Sequence, residues 1–373
     1  MSQKRQTGFT LVEMMIAMAV TVVVLGGAMV VFRDSTQTNR SVNQTADMSD
    51  NTRAGVNMVV QDLILTGSGV PTGGIAIPNT VDATGCNKGV PINRPPAALG
   101  LVFAGPTTAR AGCNVVMPAI EPGPNLGPIV TSSDGTTAQQ SDVITILYAD
   151  NTVALNTKAI NDPTCPGGSI APDGSSTTFD VNCQALGAAG IPISAGDLIM
   201  FNNANGSCLQ TVTSVAGQTL QFAPNDAFKL NGRTTTDTAG TILQLQNIVG
   251  NKPNGTFPAT SATRIWMVTY YLDNTSDPLH PRLMRESNFN ASQIVSESVE
   301  TLQFSFNVVD GTNPSPVNQR NVPVNDNENQ IRSVNVYLGS RSAMVAAGTS
   351  KFLRTNQSTQ VALRSMAYFN TYQ

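Results

Sequence analysis

Hydrophobic and polar positions divide this chain sharply within its first tenth. From residue 9 to residue 32 the sequence FTLVEMMIAMAVTVVVLGGAMVVF is apolar on every face, with one charge, Glu13, and no proline. As a helix it spans about 36 Å, enough to cross a hydrocarbon core of about 30 Å. Residues 33 to 66 turn polar, yet Val42, Ala46, Ser49, Arg53, Val56, Val60 and Leu63 recur in steps of three and four. That is a narrow stripe, strongest in VNMVVQDLIL at 56 to 65, of the kind a helix lays on a core. Thr66-Gly67-Ser68-Gly69 and then Pro71 end it. The pattern predicts one long helix, with its first half in a membrane and its second half on a globular head; a flexible polar stalk between them is the alternative.

Beyond residue 66 the helical period disappears. The segment 67 to 140 is crowded with Gly, Pro, Ala, Thr and Asn and reads as extended loop. Strand signals occur at 142 to 149, 196 to 202, 207 to 214, 241 to 249, 263 to 272, 282 to 286, 302 to 309 and 331 to 339. A last segment, 358 to 369, suits a strand or a short helix. Alternation is clearest in Leu302, Phe304, Phe306 and Val308, and in Val334, Val336 and Leu338. No interval fits a set of crossover helices. The expected fold is therefore α+β, an antiparallel sheet packed on the N-terminal helix, with loop insertions at about 67–140 and 150–195.

Composition narrows the function classes. The 373 residues are 40% hydrophobic and 12% charged, with 31 Gly and 22 Pro, which suits β-structure with long loops. The net charge of −3 and the lack of a dense basic run argue against nucleic acid as a partner. There is one histidine, His280, which nearly excludes histidine-dependent catalysis and multi-histidine metal sites. No Walker, dinucleotide or nucleophile-elbow motif occurs, and Gly67-Ser68-Gly69 is too short and misplaced to serve as one.

Lys4 and Arg5 precede the apolar run and Arg33 with Asp34 closes it, an arrangement that keeps the leader cytoplasmic and translocates the chain beyond residue 33. An ordinary secretory signal is the competing reading. The run is too long for one, and no small-x-small cleavage site comes after it. The stretch Gly8-Phe9-Thr10-Leu11-Val12-Glu13, after a basic leader and before an unbroken apolar helix, resembles the processing motif of type IV pilins and type II secretion pseudopilins. The resemblance implies a leader, residues 1–8, that a prepilin peptidase removes between Gly8 and Phe9, and then N-methylation of Phe9. It implies transmembrane and periplasmic halves of one helix over 9–32 and 33–66, and a head over 67–373. It also gives Glu13 the role of guiding subunit docking.

A carboxylate in hydrocarbon costs about 3 kcal/mol on insertion scales and normally has a partner. The new amine of Phe9, on the same subunit or a neighbour, would supply one; a tolerated acid near the interface is the alternative. Many major pilins carry a proline in the second half of this helix, and this chain does not. Gly26-Gly27 stands there instead, suited either to weakening the helix or to close packing.

The C-terminal third extends the resemblance through RIWMVTYYLDN, PRLMRES, the spacing from Ser296 to Val308, IRSVNVYLGSRS and VALRS, which are similar to the head of PilW-type minor pilins. The family implies a non-enzymatic subunit without cofactors that helps initiate or cap a pilus. It would sit in the bacterial inner membrane with its head in the periplasm, then pass into the fibre or its tip. Partners would be the prepilin peptidase, other minor and major pilins, the inner-membrane assembly machinery and the lipid bilayer. A J-like pseudopilin and a pilus-tip adhesin are the related alternatives.

Five cysteines, Cys86, Cys113, Cys165, Cys183 and Cys208, lie beyond the apolar run without a CxxC pair. In an oxidising compartment, proximity favours Cys165–Cys183 and then Cys86–Cys113; all five reduced is the alternative. Asp273 with Asp277, and Asp326 with Glu328, lack calcium-loop spacing and are read as solvated turns. Trp266, Tyr270 and Tyr271 are expected to straddle a strand with one face in the core, an exposed aromatic patch being the other option.

Overall fold

The computed structural model describes residues 10–78, 92–103, 116–131, 139–153, 155, 158–187, 190–232, 240–250, 252–309, 317–319, 328–346 and 350–367. Its first element, helix α1 (Leu11–Leu65), runs without a break through the polar middle, so the stalk is helical too. Gly26 and Gly27 lie inside it, and a Cβ on either would meet nothing within 4 Å. The stop falls where the Thr/Gly/Ser run predicts. Gly67 takes a positive φ of 77°, and its N–H reaches the Leu147 carbonyl at 2.9 Å, which turns the chain into the sheet.

The buried face of α1 corrects the expected stripe. Met48, Thr52, Gly55, Val56, Val59, Asp62 and Leu63 face the head, whereas Val42 is 60% exposed and Arg53 is exposed as well. Ordering positions by apolarity overlooks residues chosen for fit. At Gly55 an added Cβ would stand 3.0 Å from Leu338, 3.1 Å from Ser296 and 3.3 Å from Leu283, so any larger residue makes these side chains give way at this helix–sheet distance.

Two mostly antiparallel sheets receive the helix. Nine of the described strands form the larger one, whose centre is the long strand Ser261–Asp273. That strand pairs with Val143–Ala149, Leu198–Asn203 and Arg282–Ser287, all antiparallel. The second sheet orders Val317–Gln319, Val299–Val308, Ile331–Val345 and Phe352–Ala362. In it the alternating Leu302, Phe304, Phe306 and Val308 meet Val334, Val336 and Leu338 in the core, as the period of two requires. The C-terminal segment takes both of its expected forms in turn, the strand Phe352–Ala362 and then the one-turn helix α2, Arg364–Ala367.

Two other expectations need correction. The segment 67 to 140 is not merely extended loop: Ile75, Ile77, Ile92, Phe103, Met117, Ile120 and Val130 belong to the main core, and short strands at Ile75–Ala76 and Val116–Met117 join the large sheet. The segment 241 to 249 is not one strand. Ile242–Leu245 is a 3₁₀ turn in which Thr241 Oγ1 accepts the Leu243 N–H at 3.3 Å, and within 241–249 only Ile248–Val249 pairs as a strand. Burial of the adjacent Ile242 and Leu243 outweighs the local alternation.

Residues 153 to 262 carry a second core built around Phe179, Phe201, Leu220, Phe222, Ile242 and Leu245. Phe201 and Phe222 meet edge to face at 5.6 Å. Cys165 and Cys183 form a disulfide 18 residues apart in this region, and Cys208 is a buried thiol.

Candidate functional site

Two carboxylates on α1 organise its two ends. Among the described residues, the N-terminal half, Leu11 to Phe32, packs on no other element: Leu11, Val23 and Phe32 are all more than 70% exposed. It is long and apolar enough to cross a membrane, and none of its apolar window is buried. Such a surface is unstable in water over this length, so it marks a lipid or helix-packing face.

At its start Thr10 is the N-cap. The Glu13 N–H donates to Thr10 Oγ1 at 3.3 Å, while Glu13 Oε2 accepts the Thr10 N–H at 2.9 Å and the Thr10 hydroxyl at 3.0 Å. This capping box satisfies donors that a helix terminus leaves open, and it occupies one oxygen of the carboxylate that the sequence singles out. Glu13 therefore enters the apolar segment already bonded within its own first turn. Gly8 and Phe9 lie outside the described residues.

At the other end Asp62, only 6% exposed, joins the helix to the sheet. Its Oδ2 accepts from Arg285 Nε at 2.7 Å and from the Tyr270 hydroxyl at 2.6 Å; its Oδ1 accepts from the Tyr148 hydroxyl at 3.1 Å. Arg285 also donates to Ser287 Oγ at 2.8 Å. Burial, then the negative charge of Asp62, pushes both tyrosine hydroxyls above their usual range, so they stay protonated donors. Burial opposes the Arg285 charge, but the hydrogen bond and attraction of Asp62 outweigh it and hold the guanidinium firmly protonated. A buried pair with this many donors is fully satisfied, and removing one member would strand the others. Further along, Ser296 Oγ donates to the Asn51 carbonyl at 2.9 Å.

Sequence reasoning did not identify Asp62, Arg285 or Tyr148. The available signal was an acid inside VVQDLIL, one residue before Leu63 on the strengthening stripe. Tyr270 is fully buried as expected for a strand core position, and Tyr271 donates to Ser292 Oγ at 2.8 Å. Trp266 is half-buried and donates from Nε1 to Asp150 Oδ2 at 2.9 Å, with Arg264 stacked 4.9 Å over its ring and paired to the same carboxylate.

Asp273 closes a turn by accepting from Thr275 and Ser276, and Asp277 pairs with His280. Asp326, Cys86, Cys113 and the side chain of Glu328 lie outside the described residues. Among the described residues, no group of three or more His, Cys, Asp or Glu is set to hold a metal.

Comparison with known proteins agrees with the N-terminal geometry. Residues 3–29 match the family described as the prokaryotic N-terminal methylation motif, which supports a type IV pilin-like prepilin. The match covers residues ahead of the helix and most of its apolar half, not the head. No curated protein and no solved structure matches the chain.

Proposed function

We propose that this chain is a minor pilin of the PilW type that helps initiate or cap a pilus, with no catalytic activity of its own. The observation that carries the reading is the continuity of α1: one rigid helix leaves its methylation-motif half bare and pins its other half to a folded head. A subunit built this way transmits the position of its head to whatever its apolar half packs against.

Processing by a prepilin peptidase between Gly8 and Phe9, methylation of Phe9, and residence in the inner membrane with a periplasmic head complete the proposal. The Glu13 carboxylate then exchanges its Thr10 donors for the amine of a neighbouring pilin as subunits dock. The segments that resemble PilW-type heads support the finer assignment, since they fall on strands of the two sheets that hold the helix: Ser261–Asp273 and Arg282–Ser287, which supply Tyr270 and Arg285 to Asp62, Ile331–Val345, which packs on the helix, and its neighbour Val299–Val308.

Deleting the gene and counting surface pili tests this. Loss of pili with protein secretion intact, restored by the wild-type gene, is the expected result. Intact piliation with lost secretion would favour the type II pseudopilin and overturn the assignment.

A further inference from the structure

His280, the only histidine in the chain, sits on the turn between the strands Ser261–Asp273 and Arg282–Ser287 of the large sheet. Its Nδ1 lies 2.8 Å from Asp277 Oδ2, and its Nε2 lies 3.0 Å from the carbonyl oxygen of Ala343 on strand Ile331–Val345 of the second sheet. A carboxylate and a carbonyl are both acceptors. A neutral imidazole carries one N–H and one lone pair, so it satisfies one of these partners and turns a lone pair on the other. Only the imidazolium donates to both.

The neighbouring residue repeats the connection, because Arg341 Nη2 donates to the Leu279 carbonyl at 2.6 Å. Arg341, Ser342 and Ala343 also line the cleft where α1 leaves the head, opposite Gln44, Asp47, Met48, Asp50 and Asn51.

We propose that His280 is an acid-fastened clasp between the two sheets: as imidazolium it ties the 277–281 turn to the end of strand Ile331–Val345 by two donated hydrogen bonds, and on losing its proton it keeps only one, which leaves the junction beside the helix exit held by Arg341 and loosened at Ala343. The charged groups around it act in both directions. Asp277, on its own turn, favours the charged ring, first through the hydrogen bond. Arg341, from the facing strand, opposes it. Asp47, Asp50 and Glu297 line the cleft beside Arg341 and Ala343. The balance raises the titration of His280 above the ordinary histidine value of about 6.5.

A raised histidine contributes its stabilisation in full below about pH 6.5 and loses it as the pH rises through the raised value. Asp277, held below its usual range mainly by the same hydrogen bond, contributes above about pH 3.8 and fails only as the pH falls through its lowered value. The clasp is closed in mildly acid medium and opens on the alkaline side.

The test uses the full chain, purified without a histidine tag and placed in phospholipid nanodiscs, with ¹³C-labelled histidine. The single ring signal should titrate above the ordinary value, and Asp277→Asn should bring it back towards that value. Amide hydrogen exchange over 340–346, corrected for its chemical pH dependence, should quicken about fivefold between about pH 6 and pH 8.5, while 265–272 stays constant. His280→Phe should exchange at the fast rate at both pH values. A wild-type histidine titrating at or below the ordinary value, or exchange over 340–346 that does not track its titration, would overturn the clasp.

Discussion

The two halves of α1 handle a carboxylate in opposite ways. In the half before residue 33, Glu13 is served by one residue three positions away, inside its own first turn. In the half after residue 47, Asp62 is served by Tyr148, Tyr270 and Arg285, which lie 86, 208 and 223 residues away in sequence. The first arrangement needs nothing from the head and leaves the helix surface free. The second exists only once the sheet has folded and fixes the helix to it. One continuous helix thus joins a segment made to meet other molecules to a segment made to stay in place, and its acids mark which is which.

The largest expected effect comes from breaking the fixed end. Asp62→Ala leaves Arg285 and two tyrosine hydroxyls buried around an empty position, and should destabilise the head by about 3–5 kcal/mol. Denaturant unfolding monitored by Trp266 fluorescence measures it, and a loss below about 1 kcal/mol would make Asp62 an ordinary surface acid.

Glu13→Val attacks the free end and should do the reverse. Unfolding of the head should be unchanged and membrane insertion intact or improved. Copurification with partner pilins should fall a hundredfold or more, from about 3 kcal/mol of lost pairing. Wild-type copurification would reduce Glu13 to a tolerated interfacial acid.

Gly55→Leu tests whether the helix–sheet distance is set by fit. The added side chain has to enter Leu338, Ser296 and Leu283, and should cost about 1–3 kcal/mol in the same unfolding measurement while leaving insertion alone. The smallest effect belongs to Thr10→Val, which removes the cap hydroxyl and keeps the shape. Exchange of the amides of residues 12–14 should rise about fivefold, for about 1 kcal/mol of lost capping, with the head unaffected.

The same contrast explains which features were legible in the sequence. Features set by neighbours in the chain were readable: the apolar run and the Gly stop of α1, the alternation in 302–308 and 334–338, and the region of the sheet-forming strands. Features set by distant partners were not. Asp62 looks like an interruption of the VVQDLIL stripe until Tyr148, Tyr270 and Arg285 are placed around it. Thr52 and Gly55 face the core because of the groups they meet there, which an apolar count cannot register. Likewise, the second core draws Val153 and Phe179 from segments whose Asp150-x-Thr152 and Asp173-x-Ser175 turns carry the local signal and hide the apolar one.

Whether α1 is the assembly helix of a processed prepilin is tested most directly by intact-mass and N-terminal peptide mass spectrometry of the protein taken from membranes. The expected mature chain begins at Phe9 and carries one N-methyl group on it, with Thr10 and Glu13 next in the first turn. A mature chain that begins at Met1, or one cut beyond residue 32, would contradict the account.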